Sequence, residues 1–419
     1  MKIIVKPSQI DGKLTAPSSK SVAQRAIAIA MLTKGTSSIK NITWANDVIS
    51  ALSAAQSLGA KAEITKDSLI IEGGNNIESN ILNCGESGLC IRMFSPIAAL
   101  FNKELKLTAS GSLLLRPVKM VEDALKKMGV KCISNNGKPP LTIEGPVKTG
   151  NIKIDGSISS QLITGLLISL PTVNSDSVLE VDNLASKHYV DITLSVMKSF
   201  GVYAENNNYK HFVIKGNQTY KPTEYSIEGD WSSSSFLLVA AAISGKIKIT
   251  NLFSNSFQPD KSIIEVLKLV GAKVSIKKDY ITCKHSSLKS FNFDATDCPD
   301  LFPPLVALAS NCKGKSTITG IHRLIYKESN RLEVLIREFS KMGIKIIQNN
   351  NSLEIEPRNL ISTEINPEND HRIAMAAAIA YLGSNEKVII HQAECVSKSY
   401  PSFWEEIKCM GIKTEVIHD

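Results

Sequence analysis

One pattern recurs six times along this chain and limits its possible folds more than any other feature. In each copy a helix-like stretch ends at a glycine, and an extended segment, a turn and a second extended segment follow. A glycine there is typical of the left-handed residue that ends a helix, and Asn-rich turns between alternating segments are typical of β-hairpins. The pattern therefore predicts a helix followed by a hairpin in every copy. Its glycines lie 68 to 72 residues apart, at Gly59, Gly129, Gly201, Gly271, Gly343 and Gly411.

A second series lies between these copies, and each member is a polar head followed by an apolar run such as FLLVAAAI at 236–243. A helix that is apolar on all sides must be buried, so each repeat is predicted to hold one buried helix and one amphipathic helix. The polar heads recur every 66 to 73 residues, at Ser21, Ser87, Ser160, Ser233, Asp300 and Asp370.

Six units of about 70 residues are too long to be the turns of a solenoid. We therefore predict an α/β (α+β) protein of two domains, each built from three pseudo-symmetric βαβαββ units around three buried helices. The parallel polar heads of each domain would emerge on one face. Two such faces opposed across a cleft would bring up to six helix N-termini to one site.

Several first turns of these helices carry cations: Lys20, Arg25, Arg92 and Arg372. The helix dipole disfavours a cation at that end unless a negative group is near, and the free N–H groups there attract an acceptor. One such cation, taken alone, is explained equally well by a side chain that reaches out to solvent. Their shared register favours a site for a multiply charged anion.

The composition fits this interpretation without selecting a ligand. The 419-residue chain has a net charge of +8, which permits nucleic acid, an anionic membrane or anionic metabolites as partners. Its eight cysteines are scattered, with no CxxC pair, so neither a zinc site nor a disulfide framework is indicated. The N-terminus is too short and polar for a signal peptide, and no apolar run is long enough for a membrane span. We therefore expect a cytoplasmic protein that needs no metal.

Seven sequence motifs follow one another along nearly the whole chain. They are APSSKSVAQRA, SSQLITGLL, SKHYVDITLSVMKSFGV, IEGDWSSSSF, YKESNRL, NDHRIAMA and SKSYPSFWEE. In their order and spacing the chain resembles the family of 5-enolpyruvylshikimate-3-phosphate (EPSP) synthases, the 3-phosphoshikimate 1-carboxyvinyltransferases. The resemblance implies two inverse α/β barrels with threefold internal pseudosymmetry, one of residues 13–227 and the other of residues 1–12 with 228–419.

The resemblance implies transfer of the enolpyruvyl group of phosphoenolpyruvate to the 5-hydroxyl of shikimate 3-phosphate, with release of phosphate. It implies no cofactor, no metal, no nucleic-acid or membrane partner, and a monomer. Each substrate carries a phosphate and a carboxylate, so their mutual repulsion must be offset by fixed cations.

By similarity, each substrate is assigned a set of residues. Hydroxyl and amide groups suit a polyol, and the cations suit its phosphate and carboxylate. Shikimate 3-phosphate is expected at Ser21, Arg25, Ser159, Ser160, Gln161, Ser186 and Lys327. Phosphoenolpyruvate is expected at Lys20, the Gly88 backbone, Arg116, Arg331, Arg372 and Lys398.

The same resemblance assigns the proton transfers. Asp300 is expected to accept the proton of the 5-hydroxyl group and Glu328 to protonate the methylene carbon, with Lys20 and Lys398 stabilising charge. Neighbouring cations lower the pKa of a carboxyl group, which suits Asp300 as a base but not Glu328 as an acid. The donor to carbon is therefore left open among Glu328, Lys20 and Lys398.

Simpler structural roles compete with several of these assignments. Ser159 and Ser160 are also good helix N-caps, and Asp300 is by default a capping residue. Arg116 precedes a proline at a helix start, where it would be an ordinary solvated residue. A Glu328–Arg331 pair could be a surface ion pair worth about 0.3–0.5 kcal/mol.

The loop at 84–93 departs from the family pattern, since Glu86, Leu89 and Met93 stand where Asn, Thr and Pro are common. His188 and Asn330 are further departures. A UDP-N-acetylglucosamine enolpyruvyl transferase is the nearest alternative, but that family uses a reactive Cys before the residue corresponding to Arg116, and ASGSLLLRP contains none. A nucleic-acid-binding repeat protein is disfavoured by dispersed basic residues and an aromatic content of 6%.

Overall fold

Each of the six repeat glycines ends a helix in the computed structural model of the chain, which describes residues 1–74 and 76–417. All six glycines have positive φ angles, between 73° and 105°, as a left-handed helix terminus requires. Residues 418 and 419, at the end of the predicted C-terminal domain, lie outside the described residues.

The helices alternate between the two predicted types. The odd-numbered helices are almost wholly buried, as the apolar runs predict, and the even-numbered helices are amphipathic. The helices are α1 (Lys20–Met31), α2 (Asn46–Ser57), α3 (Gly88–Ala98), α4 (Lys119–Lys127), α5 (Gln161–Ser169), α6 (Lys187–Ser199), α7 (Trp231–Ile243), α8 (Ile263–Leu269), α9 (Phe302–Ala309), α10 (Arg331–Lys341), α11 (His371–Ala380) and α12 (Phe403–Cys409).

The strands are short, and most alternate buried and exposed side chains, because one face of each sheet packs on the helices. The strands are β1 (Lys2–Val5), β2 (Ile10–Thr15), β3 (Thr36–Lys40), β4 (Lys61–Ile64), β5 (Ser68–Glu72), β6 (Ile81–Asn83), β7 (Glu104–Thr108), β8 (Lys131–Asn135), β9 (Lys138–Glu144), β10 (Asn151–Asp155), β11 (Ser177–Asp182), β12 (Glu205–Asn207), β13 (His211–Ile214), β14 (Glu224–Ser226), β15 (Gly245–Thr250), β16 (Lys273–Ile276), β17 (Tyr280–Lys284), β18 (Asn292–Asp294), β19 (Ser316–Thr319), β20 (Lys345–Gln348), β21 (Ser352–Glu356), β22 (Thr363–Ile365), β23 (Val388–Ile390) and β24 (Thr414–Ile417).

These strands form six four-stranded sheets that share one topology. In the sheet β6-β7-β9-β8, the buried helix α3 connects the parallel strands β6 and β7, and the hairpin β8–β9 follows the amphipathic helix α4. This is the predicted βαβαββ unit, and the other five sheets repeat its strand order and directions. The hairpin predicted for the sixth copy is wrong, because β24 pairs with β1 and not with a strand next to it in the chain.

The chain divides into two compact units. We call Ser18–Ile227 the N-terminal unit, and Met1–Pro17 with Glu228–Asp419 the C-terminal unit. The first boundary lies between residues 17 and 18, and not at residue 13, because β2 pairs in parallel with β15 and so belongs to the C-terminal unit.

Two strands are exchanged between the repeats at the ends of the units. In the chain α1 lies between β2 and β3. The parallel neighbour of β3 in its sheet is nevertheless β14, and not β2. Strand β14 precedes α7 in the chain but lies in the N-terminal unit. The last sheet is completed by β1, which lies between β23 and β24.

Each unit has its own hydrophobic core. In the C-terminal unit α7, α9 and α11 pack against one another, and in the N-terminal unit α3 packs against both α1 and α5. The buried helices thus form the centre of the hydrophobic core in each unit.

Candidate active site

The N-terminal halves of the three buried helices of the N-terminal unit are hydrogen-bonded to one another. Ser87, the N-cap of α3, donates through Oγ to Oε1 of Gln24 on α1 at 3.0 Å. Arg92 on α3 donates through Nη1 to Oε1 of Gln161, the first residue of α5, at 2.7 Å, and through Nη2 to the Pro117 carbonyl at 2.8 Å. The polar heads of one unit thus converge, as the repeat register predicts.

Arg25 is the most deeply placed cation of this group, with 1% of its surface exposed. All five of its N–H groups donate to protein oxygen atoms, which ties α1 to α5 and α6. Burial lowers the pKa of Arg25 to about 10, so the guanidinium remains charged at neutral pH. Its acceptors are the Ser21 carbonyl (2.8 Å) and Oγ (2.6 Å), Thr193 Oγ1 (2.9 Å), Thr164 Oγ1 (3.2 Å) and the Tyr189 carbonyl (3.2 Å).

Lys20, at the start of α1, forms an ion pair with Asp47 on α2. Its Nζ lies 2.8 Å from Oδ2 of Asp47, and the two side chains are only 16% and 13% exposed. This carboxylate supplies the negative charge that a cation at a helix N-terminus requires.

Gly88 and Arg116 are brought together at the start of α3. A Cβ atom at Gly88 would lie 2.7 Å from Nη1 of Arg116, so the guanidinium occupies the space that a side chain would fill. Glu86 accepts hydrogen bonds from the backbone N–H (3.1 Å) and Oγ (3.2 Å) of Ser112, in the 3₁₀ segment that leads to Arg116. This departure from the family pattern therefore ties the 84–93 loop to the loop that carries Arg116.

The serines predicted to bind shikimate 3-phosphate lie at the starts of α5 and α6. Ser159 Oγ accepts from the N–H of Gln161, the first residue of α5, at 3.2 Å, whereas the N-cap of α5 is Ser160. Ser160 is buried and its side chain makes no capping bond to the described residues. Ser186 is buried with a φ of 56°, a left-handed conformation that is uncommon outside glycine.

A carboxylate surrounded by three cations forms the centre of the C-terminal unit's cluster. Asp300 Oδ1 accepts from Lys327 Nζ at 3.0 Å and from Arg331 Nη1 at 2.8 Å, and Arg372 Nη2 lies 3.4 Å from Oδ2. Burial acts to raise the pKa of Asp300, but the charges of these cations outweigh it and hold the pKa well below its ordinary value. Asp300 is therefore ionised at neutral pH.

Arg331 is fully buried and connects three carboxylates. It donates to Asp370 through Nε (2.9 Å) and Nη2 (3.2 Å), to Asp300, and to Glu328. In this structure the bidentate partner of Arg331 is thus Asp370, the N-cap of α11, which also accepts from the Arg372 backbone N–H at 3.0 Å. The Glu328–Arg331 pair is part of this buried network and not a surface ion pair.

Lys398 ends the 3₁₀ segment that precedes α12 and is buried. Its Nζ donates to the Asn369 carbonyl at 2.8 Å, next to Asp370. All six predicted site residues of the C-terminal unit thus lie around the starts of α9, α11 and the neighbouring loops.

Sequence reasoning missed two carboxylates, Asp47 and Asp260. Asp260 lies in the 3₁₀ segment before α8, is buried, and accepts a hydrogen bond from Ser232 on α7. Asp47 precedes Gly59 by twelve residues and Asp260 precedes Gly271 by eleven, so they hold equivalent places in the first repeat of each unit. Their similar distance from the repeat glycine, in two of the six repeats, was the signal that could have found them.

Two further observations concern the residues that the structure describes. No group of three or more His, Cys, Asp and Glu side chains among them is placed to hold a metal ion. None of their helices is long and apolar enough to span a bilayer.

Comparison with known proteins identifies the family. The family model of EPSP synthase (3-phosphoshikimate 1-carboxyvinyltransferase) matches residues 4–407. The 3-phosphoshikimate 1-carboxyvinyltransferase of Clostridium perfringens strain ATCC 13124 is 39% identical over 416 residues, which cover 98% of each chain. That of Clostridium kluyveri is 38% identical over 413 residues, 98% of this chain and 97% of the other.

Solved structures agree with the predicted fold class of two inverse α/β barrels. An EPSP synthase from Acinetobacter baumannii has a TM-score of 0.86 and 25% identity, with full coverage of both chains. The enolpyruvyl transferase NikO from Streptomyces tendae shares the fold, with a TM-score of 0.80, 14% identity, and coverage of 99% of this chain and 98% of the other. The chain therefore belongs to the EPSP synthase family, the 3-phosphoshikimate 1-carboxyvinyltransferases.

Proposed function

We propose that this chain transfers the carboxyvinyl group of phosphoenolpyruvate to the 5-hydroxyl group of shikimate 3-phosphate and releases phosphate. The observation that carries the proposal is the convergence of Lys327, Arg331 and Arg372 on Asp300, in a chain that the family model matches over nearly its whole length. Such a cluster suits the binding of anionic substrates and contains an ionised carboxylate that can accept a proton.

The chemistry proceeds by addition and elimination. A proton adds to the methylene carbon of phosphoenolpyruvate, C2 becomes electrophilic, and the 5-hydroxyl oxygen forms a bond to C2 as it loses its own proton. The tetrahedral adduct then loses a proton from the new methyl group, and its bond to the phosphate oxygen breaks. The methylene group is thereby restored, and phosphate leaves.

We assign Asp300 the role of accepting the hydroxyl proton, because the three cations keep it ionised at neutral pH. Glu328, which accepts a hydrogen bond from Arg331, Lys20 and Lys398 are the three candidates to protonate the methylene carbon, and the two lysines also stabilise the developing charge.

The remaining roles divide between the two substrates. We assign phosphoenolpyruvate to Gly88, Arg116, Arg331, Arg372, Lys20 and Lys398. We assign shikimate 3-phosphate to Ser21, Arg25, Ser159, Ser160, Gln161, Ser186 and Lys327. Arg25 already donates every N–H group to protein, so a substrate carboxylate must replace one of those acceptors or share an N–H with it.

We also propose that the protein is a cytoplasmic monomer. A reducing compartment is supported by its eight cysteines, which are all free thiols, seven of them buried. Light scattering of the purified protein tests the monomer directly, and a mass of twice 45.6 kDa would contradict it.

The decisive test is release of phosphate by the purified chain. Phosphate should appear only when phosphoenolpyruvate and shikimate 3-phosphate are both present. Asp300→Asn, which keeps the shape of the side chain, should lower kcat by about 10²- to 10⁴-fold, as expected for loss of a general base. Wild-type protein that releases no phosphate would refute the proposed reaction, and near-normal turnover by Asp300→Asn would refute only the role of Asp300.

A further inference from the structure

Asp260 is a buried carboxyl group to which the proposed mechanism gives no role. Only 2% of the residue is exposed. Its Oδ2 atom accepts a hydrogen bond from Ser232 Oγ, whereas its Oδ1 atom is buried and meets no donor among the described residues. Burial of a carboxylate oxygen without a hydrogen-bond donor lowers the stability of the folded protein. The presence of an aspartate at this position therefore needs an explanation.

The segment that carries Asp260 is held firmly against the start of α7. The neighbouring Gln258 donates through Nε2 to the Gly229 carbonyl at 2.8 Å and accepts from the Trp231 N–H at 2.9 Å. Lys261 donates to the Ser256 carbonyl at 2.7 Å. The Asp260 carboxyl group is therefore fixed on the C-terminal unit's cluster and does not turn to solvent.

The groups that interact electrostatically with Asp260 come from the starts of three buried helices of the C-terminal unit. They are Asp230 at the start of α7, Asp300 and Cys298 before α9, and Arg372 on α11. Arg372 thus lies in the field of two carboxyl groups, Asp260 and Asp300, and both act to raise its pKa against the effect of burial. Two carboxyl groups that share one cation influence each other's proton affinity.

The two carboxyl groups differ strongly in acidity. Burial, and next the charge of Asp300, raise the pKa of Asp260 to about 7, although Arg372 and the Ser232 hydrogen bond act to lower it. The pKa of Asp300 lies well below its ordinary value. Asp260 therefore keeps its proton to a higher pH than Asp300, which is ionised at neutral pH.

We propose that Asp260 is a positioning residue that sets the basicity of Asp300 through the Arg372 that they share. When Asp260 is ionised it competes for Arg372 and repels the charge on Asp300, so Asp300 holds a proton more readily. When Asp260 is protonated, Asp300 faces three cations alone and is a weaker base. This inference rests on the proposed function, in which Asp300 accepts the hydroxyl proton.

The pH profile of kcat tests this role. Wild-type kcat should rise with pH through an ionisation near 7, because Asp300 becomes a better base as Asp260 loses its proton. Asp260→Asn, which is neutral at every pH, should keep the low kcat of the acid plateau and lose the rising limb. Asp260→Glu, which restores an ionisable carboxyl group, should recover a rising limb.

Ser232→Ala and Glu228→Gln are the matched controls. The Ser232 hydrogen bond lowers the pKa of Asp260, so Ser232→Ala should move the rising limb to higher pH. Glu228, a second buried carboxyl group with a raised pKa, accepts from Ser256. Glu228→Gln should leave the limb where it is in the wild type.

Thermal unfolding gives a readout that does not depend on activity. A carboxyl group whose pKa is raised by folding contributes stability below its unfolded pKa near 4 and loses that contribution as pH rises through its folded pKa near 7. Asp260→Asn should therefore gain Tm relative to the wild type between pH 4 and pH 8, by about 2 °C or more.

The outcomes separate the possible failures. A rising limb that survives in Asp260→Asn, with kcat lowered equally at all pH values, would mean that Asp260 only braces α7 and would overturn the inference. Loss of the limb in Glu228→Gln would also overturn it. A wild-type chain without activity would refute the proposed function, and the Tm difference would then still show whether Asp260 ionises near pH 7.

Discussion

The Arg25 guanidinium is as much a structural element as a binding group, because each of its five N–H groups is used within the N-terminal unit. Its planar fork reaches acceptors on three helices at once, which the single ammonium group of lysine cannot do. Arg331 plays the corresponding part in the C-terminal unit, where it holds three carboxylates.

Arg25→Lys should therefore destabilise the protein as well as weaken its binding of shikimate 3-phosphate. The three N–H groups of a lysine ammonium can replace at most three of the five hydrogen bonds of Arg25, and loss of the others costs about 2 kcal/mol or more. The midpoint of urea unfolding measures this loss. The exposed Lys34→Gln, just beyond the end of α1, is the control and should leave the midpoint unchanged. An Arg25→Lys midpoint equal to the wild type would show that the network tolerates a missing donor.

At this scale the sequence predicted the cations better than their partners. Lys20, Arg331 and Lys398 belong to motifs that the resemblance picks out, and their helix starts follow from the repeat register. Asp47 and Asp260 escaped notice because each lies at the start of an amphipathic helix, where an acidic residue has an ordinary explanation in the helix dipole. Only the fold shows that they face cations of the candidate site.

At the scale of elements, the buried helices owe their close packing to small residues. Gly165 on α5 lies against α3, and a Cβ atom added there would lie 2.5 Å from the Met93 carbonyl oxygen and 3.0 Å from Pro96. The main-chain carbonyl cannot move aside without shifting the helix. Helices α3 and α5 carry Arg92 and Gln161 near their N-termini, so the spacing of the two helices also fixes the geometry of the cluster.

Gly165→Ala should therefore force α3 and α5 apart and lower the free energy of unfolding by about 1–3 kcal/mol. Gly88→Ala is the matched control in the same helix pair. The atoms nearest to its added methyl group belong to the guanidinium of Arg116, at the end of a flexible side chain that can move aside. Denaturant titration should show a clear loss for Gly165→Ala and little change for Gly88→Ala. Equal midpoints in the two variants would contradict the packing argument.

The elements themselves were largely predictable. Helix ends follow from the six glycines, and buried helices follow from the apolar runs, since both signals are local. The completion of the last sheet was not predictable in this way. In that sheet β1 takes the place of a hairpin strand between β23 and β24, and nothing in the local pattern of residues 414–417 specifies a partner at the other end of the chain.

At the scale of the whole molecule, the short strand β1 joins the two ends of the chain in one sheet, because it pairs with both β23 and β24. Ile3 is paired with Ile390 on one side and with Val416 on the other, and its side chain is buried in the core of the C-terminal unit. The adjacent Ile4 points to the opposite face of the sheet and is half-buried.

Ile3→Ala should lower the free energy of unfolding by about 2–5 kcal/mol, whereas Ile4→Ala should lower it by much less. The two variants remove the same atoms from neighbouring residues, so thermal unfolding of the pair isolates the effect of burial. A larger loss for Ile4→Ala than for Ile3→Ala would show that β1 is placed in the wrong register.

Because β2 and β14 are exchanged between the repeats, the two units can complete their sheets only in a fixed order during synthesis on the ribosome. Every strand of the N-terminal unit has been made once residue 227 has emerged, so that unit can close first. Strand β2 finds β15 only after residue 250 is made, and β1 must wait for residues 388–390 and 414–417. During most of translation the first fifteen residues are therefore unpaired strands with open edges, exposed to chaperones and to neighbouring nascent chains.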